Sequence, residues 1–381
     1  MKTDMIKNNT VKIIIIILFC FIFLSKTYYS ISSPSAAVIC EDTGRILYDK
    51  NAHEVRPMAS LTKLMTAIIF IENCKMDELI DVDEKACFIG GSEVGLRPNT
   101  KITAKNLLYG MLLPSGNDAA TQIAMHLSGS VENFAKLMNI RAKEMGLKDT
   151  HFVTPHGLDN DNHYTTAYEM AIISKYARQY KEIRDAVETK YATIQINNNE
   201  KQLKNTNALL WDYPYATGMK TGFTDNAGRC LSASSTKDNL NLIAIILGSN
   251  SSQERFNDAK EVLEETYNKY KYYDLSKFTN IYINIPIIKG DKSEYERTYI
   301  DSLYEALTGD EYANIYVKQD IIKEIVAPMN KGDVLGKITI STNDYVIYTK
   351  DIILDCDIKK KKPNDYMLEI LTHLLDNTER I

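Results

Sequence analysis

Apolar and polar positions along this chain change their period several times. Residues 36–40 and 45–48 are short apolar runs around the turn Glu41-Asp42-Thr43-Gly44, which predicts two paired strands. An apolar helical run follows at 64–71, opened by Ser60-Leu61-Thr62-Lys63. A short strand at 101–103 leads into an apolar helix over 104–113, and further helices are predicted over 118–127 and 131–145. Ser130 is placed to cap the last of these and Gly146 to stop it. Thr166-Ala167-Tyr168-Glu169 matches a capping box opening a helix that runs to Tyr180. Residues 228–235 and 241–248 read as paired strands joined through Lys237-Asp238-Asn239, and 253–270 as a long amphipathic helix. Strands at both ends enclosing a helical middle predict an α+β arrangement, with a sheet assembled from distant segments.

Beyond residue 275 the texture becomes β-like. Short runs at 278–288, 315–317, 321–326, 334–340 and 345–354 are punctuated by Gly290, Gly332 and Gly336. They predict a small all-β domain that carries no chemical constellation. The tail opens with Lys359-Lys360-Lys361-Lys362 and places Met367, Ile370, Leu371, Leu374 and Leu375 at helical spacing. Two readings fit it: a membrane-surface helix aided by the basic run, or a short helix packed on the β domain. At the other end Lys2, Lys7 and Lys12 precede an apolar run at 13–24, the length of an export-signal core and short for a membrane span. Cleaved leader and uncleaved anchor both fit this segment. The expected organisation is therefore leader or anchor 1–33, catalytic domain 34–273, small β domain 274–357 and tail 358–381.

Composition narrows the function classes. The formal net charge of −5 argues against a nucleic-acid partner, and 44% hydrophobic with 25% charged residues fits an ordinary globular chain. Six cysteines show neither C-x-x-C nor Cys/His ligand spacing. Buried inert thiols are expected rather than a disulfide framework or a metal site.

Chemistry enters at Ser60 and Lys63. Residues i and i+3 share a helix face, so hydroxyl and amine become neighbours. A lysine in a dry site can act as base toward a serine that is otherwise a weak nucleophile. Ser-x-x-Lys alone is a weak motif, and Ser60 could serve only as a cap. Two later segments change the weighting: Ser115-Gly116-Asn117 before the helix at 118–127, and Lys220-Thr221-Gly222 before the strand at 228–235. S-x-x-K, S-D-N and K-T-G together form the active-site set of class A β-lactamases and penicillin-binding proteins, and here Gly116 replaces the aspartate. Three elements in order make coincidence a poor explanation. None of the six histidines is placed beside Ser60 by the sequence. His126, His156 and His163 are expected to be structural, which disfavours a Ser-His-Asp triad.

With these residues the chain resembles the serine D-alanyl-D-alanine carboxypeptidases, the low-molecular-weight penicillin-binding proteins, strongly over 36–250 and more loosely to about 357. Asp42-Thr43-Gly44-Arg45, Arg56-Pro57-Met58-Ala59-Ser60, Pro155-His156-Gly157-Leu158-Asp159 and His163-Tyr164-Thr165-Thr166 share in it. The segment from Tyr213 to Thr224 is especially similar to sporulation-type members of Gram-positive bacteria. The resemblance implies a β-lactamase-like transpeptidase fold followed by a small all-β module. It implies a substrate ending in D-alanyl-D-alanine, the peptidoglycan stem peptide, with β-lactam antibiotics as covalent inhibitors. Ser60 would be the nucleophile and Lys63 its base; Ser115 would relay a proton and Asn117 orient substrate and Lys63. Lys220, Thr221 and Thr224 would hold the terminal carboxylate. Backbone N–H groups of Ser60 and Phe223, the latter following Gly222, would hold the oxyanion. No cofactor is implied. Some relatives carry histidine directly after Lys-Thr-Gly, where this chain departs from that pattern with Phe223. Export places such an enzyme at the outer face of the plasma membrane or in the wall space. A class A β-lactamase is disfavoured because no E-x-x-L-N segment lies between 128 and 220. A binding protein with a retired site is disfavoured because every required polar side chain is present. Endopeptidase and transpeptidase activities stay open, since they share the acyl-enzyme.

Overall fold

The computed structural model describes residues 31–197, 199–342 and 345–378; the leader expected at 1–33 lies almost wholly outside these residues. The spine is an antiparallel sheet of β1 (Ser35–Cys40), β2 (Ile46–Lys50), β3 (Ala216–Gly218), β4 (Thr221–Thr224), β5 (Gly228–Lys237) and β6 (Leu240–Ser249). Its order is β2–β1–β6–β5–β3, with β4 also paired to β5. The first strand thus lies beside the last, in the register Ala36↔Ile246 to Cys40↔Leu242. Successive side chains of a strand point to opposite faces. Ala37 and Ile39 accordingly enter the core shared with the helical layer, while Ala36, Val38 and Cys40 enter a second core. Both faces are covered, which is why 36–40 reads as an unbroken apolar run rather than an alternation.

The helical layer comprises α1 (Lys63–Asn73), α2 (Ala104–Leu112), α3 (Asn117–Ser128), α4 (Val131–Glu144) and α5 (Ala167–Gln179). The opposite face carries α6 (Ser252–Lys269), which buries Phe256, Ala259, Val262, Leu263 and Tyr267. Predicted boundaries hold to within a residue or two. The Ser130 hydroxyl accepts from Asn133 N, and Gly146, at φ +78°, follows the end of α4.

Three expectations need correction. Ser60 does not lie in an α-helix but in a 3-10 turn, Ala59–Thr62, directly before α1; because side chains at i and i+3 eclipse in that geometry, the pairing with Lys63 survives. The Thr166 capping box is half formed: Thr166 Oγ1 accepts from Glu169 N at 3.1 Å. The Glu169 carboxylate turns instead to Lys148 N, Asp149 N and the Thr150 hydroxyl, which are orphan donors in the loop before it. The link between β5 and β6 is the two-residue turn Asp238-Asn239, with φ of +51° and +64°, the primed geometry that matches strand twist.

The C-terminal part is all-β around its own core. Ile281, Ile283, Ile285 and Ile287 alternate inward along Ile281–Ile288, which pairs with Glu294–Tyr299. Strands Tyr316–Ile321, Val334–Ser341 and Val346–Ile353 form a second sheet. The run at 321–326 divides, because Ile321 ends one strand and Ile325–Val326 pairs in parallel with Ile287 and Ile288. Arg45, from the β1–β2 turn, clasps this part: it pairs with Glu311, donates to Ala306 O at 2.7 Å and lies 4.1 Å over the Tyr345 ring. A final helix, Pro363–Thr378, exposes Met367, Leu368, Ile370 and Leu371. No helix among the described residues is long and apolar enough to cross a membrane. The described cysteines are free; Cys40, Cys87 and Cys230 are buried, and burial pushes their thiols up, whereas Cys74 and Cys356 are only half-buried, against the expectation of buried thiols.

Candidate active site

The turn bearing Ser60 is held from beneath. Ala59 adopts φ +49°, a left-handed conformation that costs a non-glycine residue on the order of 1 kcal/mol or more. Thr62 Oγ1 donates to Ala59 O at 2.7 Å and lies 2.7 Å from His163 Nε2. His163 Nδ1 accepts from Val153 N at 3.0 Å, which assigns the ring proton to Nε2 and makes His163 the donor to Thr62. Gly157 packs against the same turn so closely that a Cβ there would sit 2.0 Å from Ala59 O. The strand carrying Gly222 crosses above: a Cβ on Gly222 would lie 3.1 Å from Ser60 N.

Lys63 is fully buried at the first residue of α1. Its Nζ lies 2.8 Å from Ser60 Oγ, 2.8 Å from Asn117 Oδ1 and 3.1 Å from His156 O. Two of these partners are carbonyl oxygens, which only accept. A neutral lysine amine therefore spends its two hydrogens on Asn117 and His156 and turns its lone pair to Ser60. Burial above all, and then the nearby positive charge of Lys220, hold the Lys63 pKa well below the usual lysine value, while Asp118 opposes the shift. The arrangement is that of a serine hydroxyl facing an aimed base.

Asn117 opens α3, and its other amide atom, Nδ2, donates to Gly90 O at 2.7 Å. Asp118, next in sequence and 1% exposed, accepts from Val94 N, Gly95 N and Leu96 N at 2.8, 2.7 and 2.9 Å. Asn117 and Asp118 thereby fix the loop 90–96 beside the cleft, where Lys201 also donates to Val94 O. Ser115 is buried at φ +72°, two residues before Asn117. Among the described residues no hydrogen bond joins its hydroxyl to Ser60, Lys63 or Lys220.

Lys220 is 1% exposed and donates to Thr221 O at 2.9 Å. Burial first, then the Arg255 guanidinium, push its pKa down to about 7. Arg255 itself donates to Gly222 O and Cys230 O, so two cationic groups stand behind β4. Lys220 and Ser232 exchange both backbone bonds. Alternation along an antiparallel pair then puts Phe223 at a non-bonded position, its N–H aimed away from β5 toward the open edge. Its ring is exposed and stacked by Arg229, whose guanidinium carbon lies 3.6 Å from the ring centre. Thr221 Oγ1 bonds Thr206 Oγ1 at 2.6 Å, and Thr224 Oγ1 accepts from Ala227 N at 3.1 Å.

Asp118, the His156 carbonyl and Arg255 carried no local sequence signal, because each acts through partners far along the chain. The buried histidines have a measurable consequence. Burial, and for His156 the Lys63 charge, lower their pKa values, to about 3 for His156 and about 4 for His163. The unfolded chain takes up these protons near pH 6.5 while the folded one refuses them. Stability is therefore expected to fall as pH drops from about 6.5 toward 4, with each histidine contributing on the order of a few kcal/mol. Urea unfolding at stepped pH checks this, and replacement of His163 by glutamine should flatten the slope.

Comparison with known proteins identifies the family. The D-alanyl-D-alanine carboxypeptidase family matches residues 24–251, and the penicillin-binding protein 5 C-terminal domain matches 271–360. The chain is 35% identical to D-alanyl-D-alanine carboxypeptidase DacF of Bacillus subtilis over 335 residues, 86% of each chain. It is 30% identical to DacC of Escherichia coli over 82% of this chain and 80% of that one. Penicillin-binding protein 5 of Haemophilus influenzae superposes with a TM-score of 0.77 at 28% identity, covering 88% of this chain and 99% of that one. The Streptomyces K15 DD-transpeptidase superposes with a TM-score of 0.61 at 30% identity, covering 64% and 99%. The chain belongs to the D-alanyl-D-alanine carboxypeptidase family.

Proposed function

We propose that this member of the family removes the terminal D-alanine from peptidoglycan stem pentapeptides through an acyl-enzyme on Ser60. The observation that carries the reading is the buried Lys63 amine 2.8 Å from the Ser60 hydroxyl, with both of its other partners acceptors. Neutral Lys63 takes the Ser60 proton as Oγ bonds to the carbonyl carbon between the two D-alanines. Negative charge develops on the carbonyl oxygen, and the N–H groups of Ser60 and Phe223 receive it; such donors are worth roughly 3–4 kcal/mol of barrier each. The C–N bond then breaks, and the Lys63 proton passes to the departing amine; Ser115 is the proposed relay, and that role requires its hydroxyl to come within hydrogen-bond reach of Lys63 once substrate is bound. Asn117 orients Lys63 and the substrate amide. Lys220, Thr221 and Thr224 bind the leaving residue's carboxylate at the positive end made by Lys220 and Arg255. Water gives a proton to Lys63 as its oxygen bonds to the ester carbonyl; the C–Oγ bond then breaks and Lys63 returns the proton to Ser60 Oγ, which releases the tetrapeptide carboxylate and restores the enzyme. A β-lactam acylates Ser60 by the same first step and leaves slowly.

The substrate lies outside the cytoplasm, and the basic, apolar segment at 1–24 supports export to the outer face of the plasma membrane or the wall space. The exposed apolar side chains of Pro363–Thr378, next to Lys359 to Lys362, support a surface contact with that membrane. Similarity around Tyr213 to Thr224 favours a role in spore cortex maturation. Incubation with a stem pentapeptide, assayed for free D-alanine and for cross-linked product, tests the reading. Stoichiometric D-alanine and tetrapeptide are expected. Cross-linked product in excess of free tetrapeptide would replace the carboxypeptidase reading by a transpeptidase one.

A further inference from the structure

Three side chains capable of binding a metal converge at the ends of α1 and α3 remote from Ser60. Cys74 is the residue that ends α1, Glu78 follows in the next turn, and His126 lies in the last turn of α3. Cys74 Sγ is 3.3 Å from Glu78 Oε2 and 3.9 Å from His126 Nε2, and His126 Nε2 is 3.0 Å from Glu78 Oε1. Bonds of about 2.0–2.3 Å to one tetrahedral ion hold their donor atoms roughly 3.3–3.8 Å apart. The observed separations bracket that range, so an ion fits among the three atoms with small side-chain adjustment.

We propose that Cys74, Glu78 and His126 form a binding site for one zinc ion that ties the far ends of α1 and α3 together. A sulfur, an imidazole nitrogen and a carboxylate oxygen are the donor set of a borderline-soft cation, not of magnesium or calcium. Thiolate and carboxylate would neutralise the double charge, which suits a partly exposed position. Binding releases the Cys74 thiol proton as the S–Zn bond forms, and water fills the fourth position. The ligands sit on fixed backbone: Glu78 N donates to Lys75 O, Glu78 O accepts from Ala104 N, and Gly129 N closes α3 on Met125 O. The opposite ends of the same two helices carry Lys63 and Asn117, joined at 2.8 Å. A zinc ion would therefore fasten the helix pair at one end as that hydrogen bond fastens it at the other. An ordinary His–Glu ion pair with a neighbouring thiol is the competing reading.

The full chain, stripped with chelator and titrated with zinc chloride and separately with cobalt(II), distinguishes the two. One equivalent of zinc should bind, with proton release, and cobalt should give a thiolate-to-metal band in the near ultraviolet. At a zinc concentration about a hundredfold above Kd the Tm should rise by roughly 5 °C. Cys74→Ser should abolish the band and the Tm rise, Glu78→Gln should weaken zinc at least about tenfold, and Cys356→Ser should change neither. Glu78 is exposed, so its variant tests the site even if Cys74→Ser folds poorly. Absence of zinc binding by the wild-type chain overturns the proposal. So does a cobalt band that persists in Cys74→Ser, or Glu78→Gln binding zinc as tightly as wild type.

Discussion

Replacing Lys63 with methionine is expected to slow β-lactam acylation of Ser60 by roughly 10²–10⁴-fold, about 3–5 kcal/mol of barrier. Methionine matches lysine in length and apolar stem, so the fully buried position stays filled while the base is lost. The fold should persist, because the substitution removes an amine whose charged form burial already disfavours. Stopped-flow labelling with a fluorescent penicillin reads the rate, with Ser60→Ala as the control that takes no label. In the proposed mechanism the working form is the neutral amine, so acylation should rise with pH through the lowered Lys63 pKa. That acidic limb should be missing from the methionine variant. Acylation by Lys63→Met within tenfold of wild type would assign the base elsewhere.

The second large effect is expected at Asp118, on stability. Its carboxylate accepts the N–H groups of Val94, Gly95 and Leu96 and of Ala119, all within 2.9 Å. Truncation to alanine would leave these donors without that partner, three of them buried and Gly95 N half-buried, at about 1–3 kcal/mol for each that stays out of water. Relaxation of the loop limits the total, and a loss of about 3–5 kcal/mol is expected by urea unfolding. The same change should loosen residues 90–96, the segment whose Gly90 carbonyl holds Asn117. Hydrogen exchange of the Val94 and Leu96 amides should then accelerate along with a slower acylation. A loss below about 1 kcal/mol would show that the loop is held by its own contacts, with Val94 and Leu96 seated in the core.

These two residues mark how far the sequence could be read. The candidates Ser60, Lys63, Ser115, Asn117 and Lys220 could be named from the sequence because each sits in a short motif, and short motifs depend on neighbouring residues alone. The order of strands and helices was legible for the same reason: apolar period and caps are local properties. The half-formed capping box at Thr166 shows the limit, because Glu169 found better partners at 148–150 than its own helix N-terminus. Asp118 stood beside a motif, yet its partners lie 22 to 24 residues back in a loop without a pattern of its own.

By itself the sequence determined the strand and helix pattern, the family to which the chain belongs, and the candidate pair Ser60 and Lys63 on which the proposed mechanism rests. Only the tertiary structure decided that Ser60 stands on a 3-10 turn braced by His163, and that Asn117 and the His156 carbonyl aim the Lys63 lone pair. It alone lowers the Lys63 pKa, because the pKa of an amine depends on burial and surrounding charge, and both come from segments far away in the chain. It alone brought Cys74 and Glu78 to His126, 52 residues beyond Cys74. Spacing along a chain predicts contacts only within one turn or one hairpin. Donor sets that span helices exist only after the helices have packed.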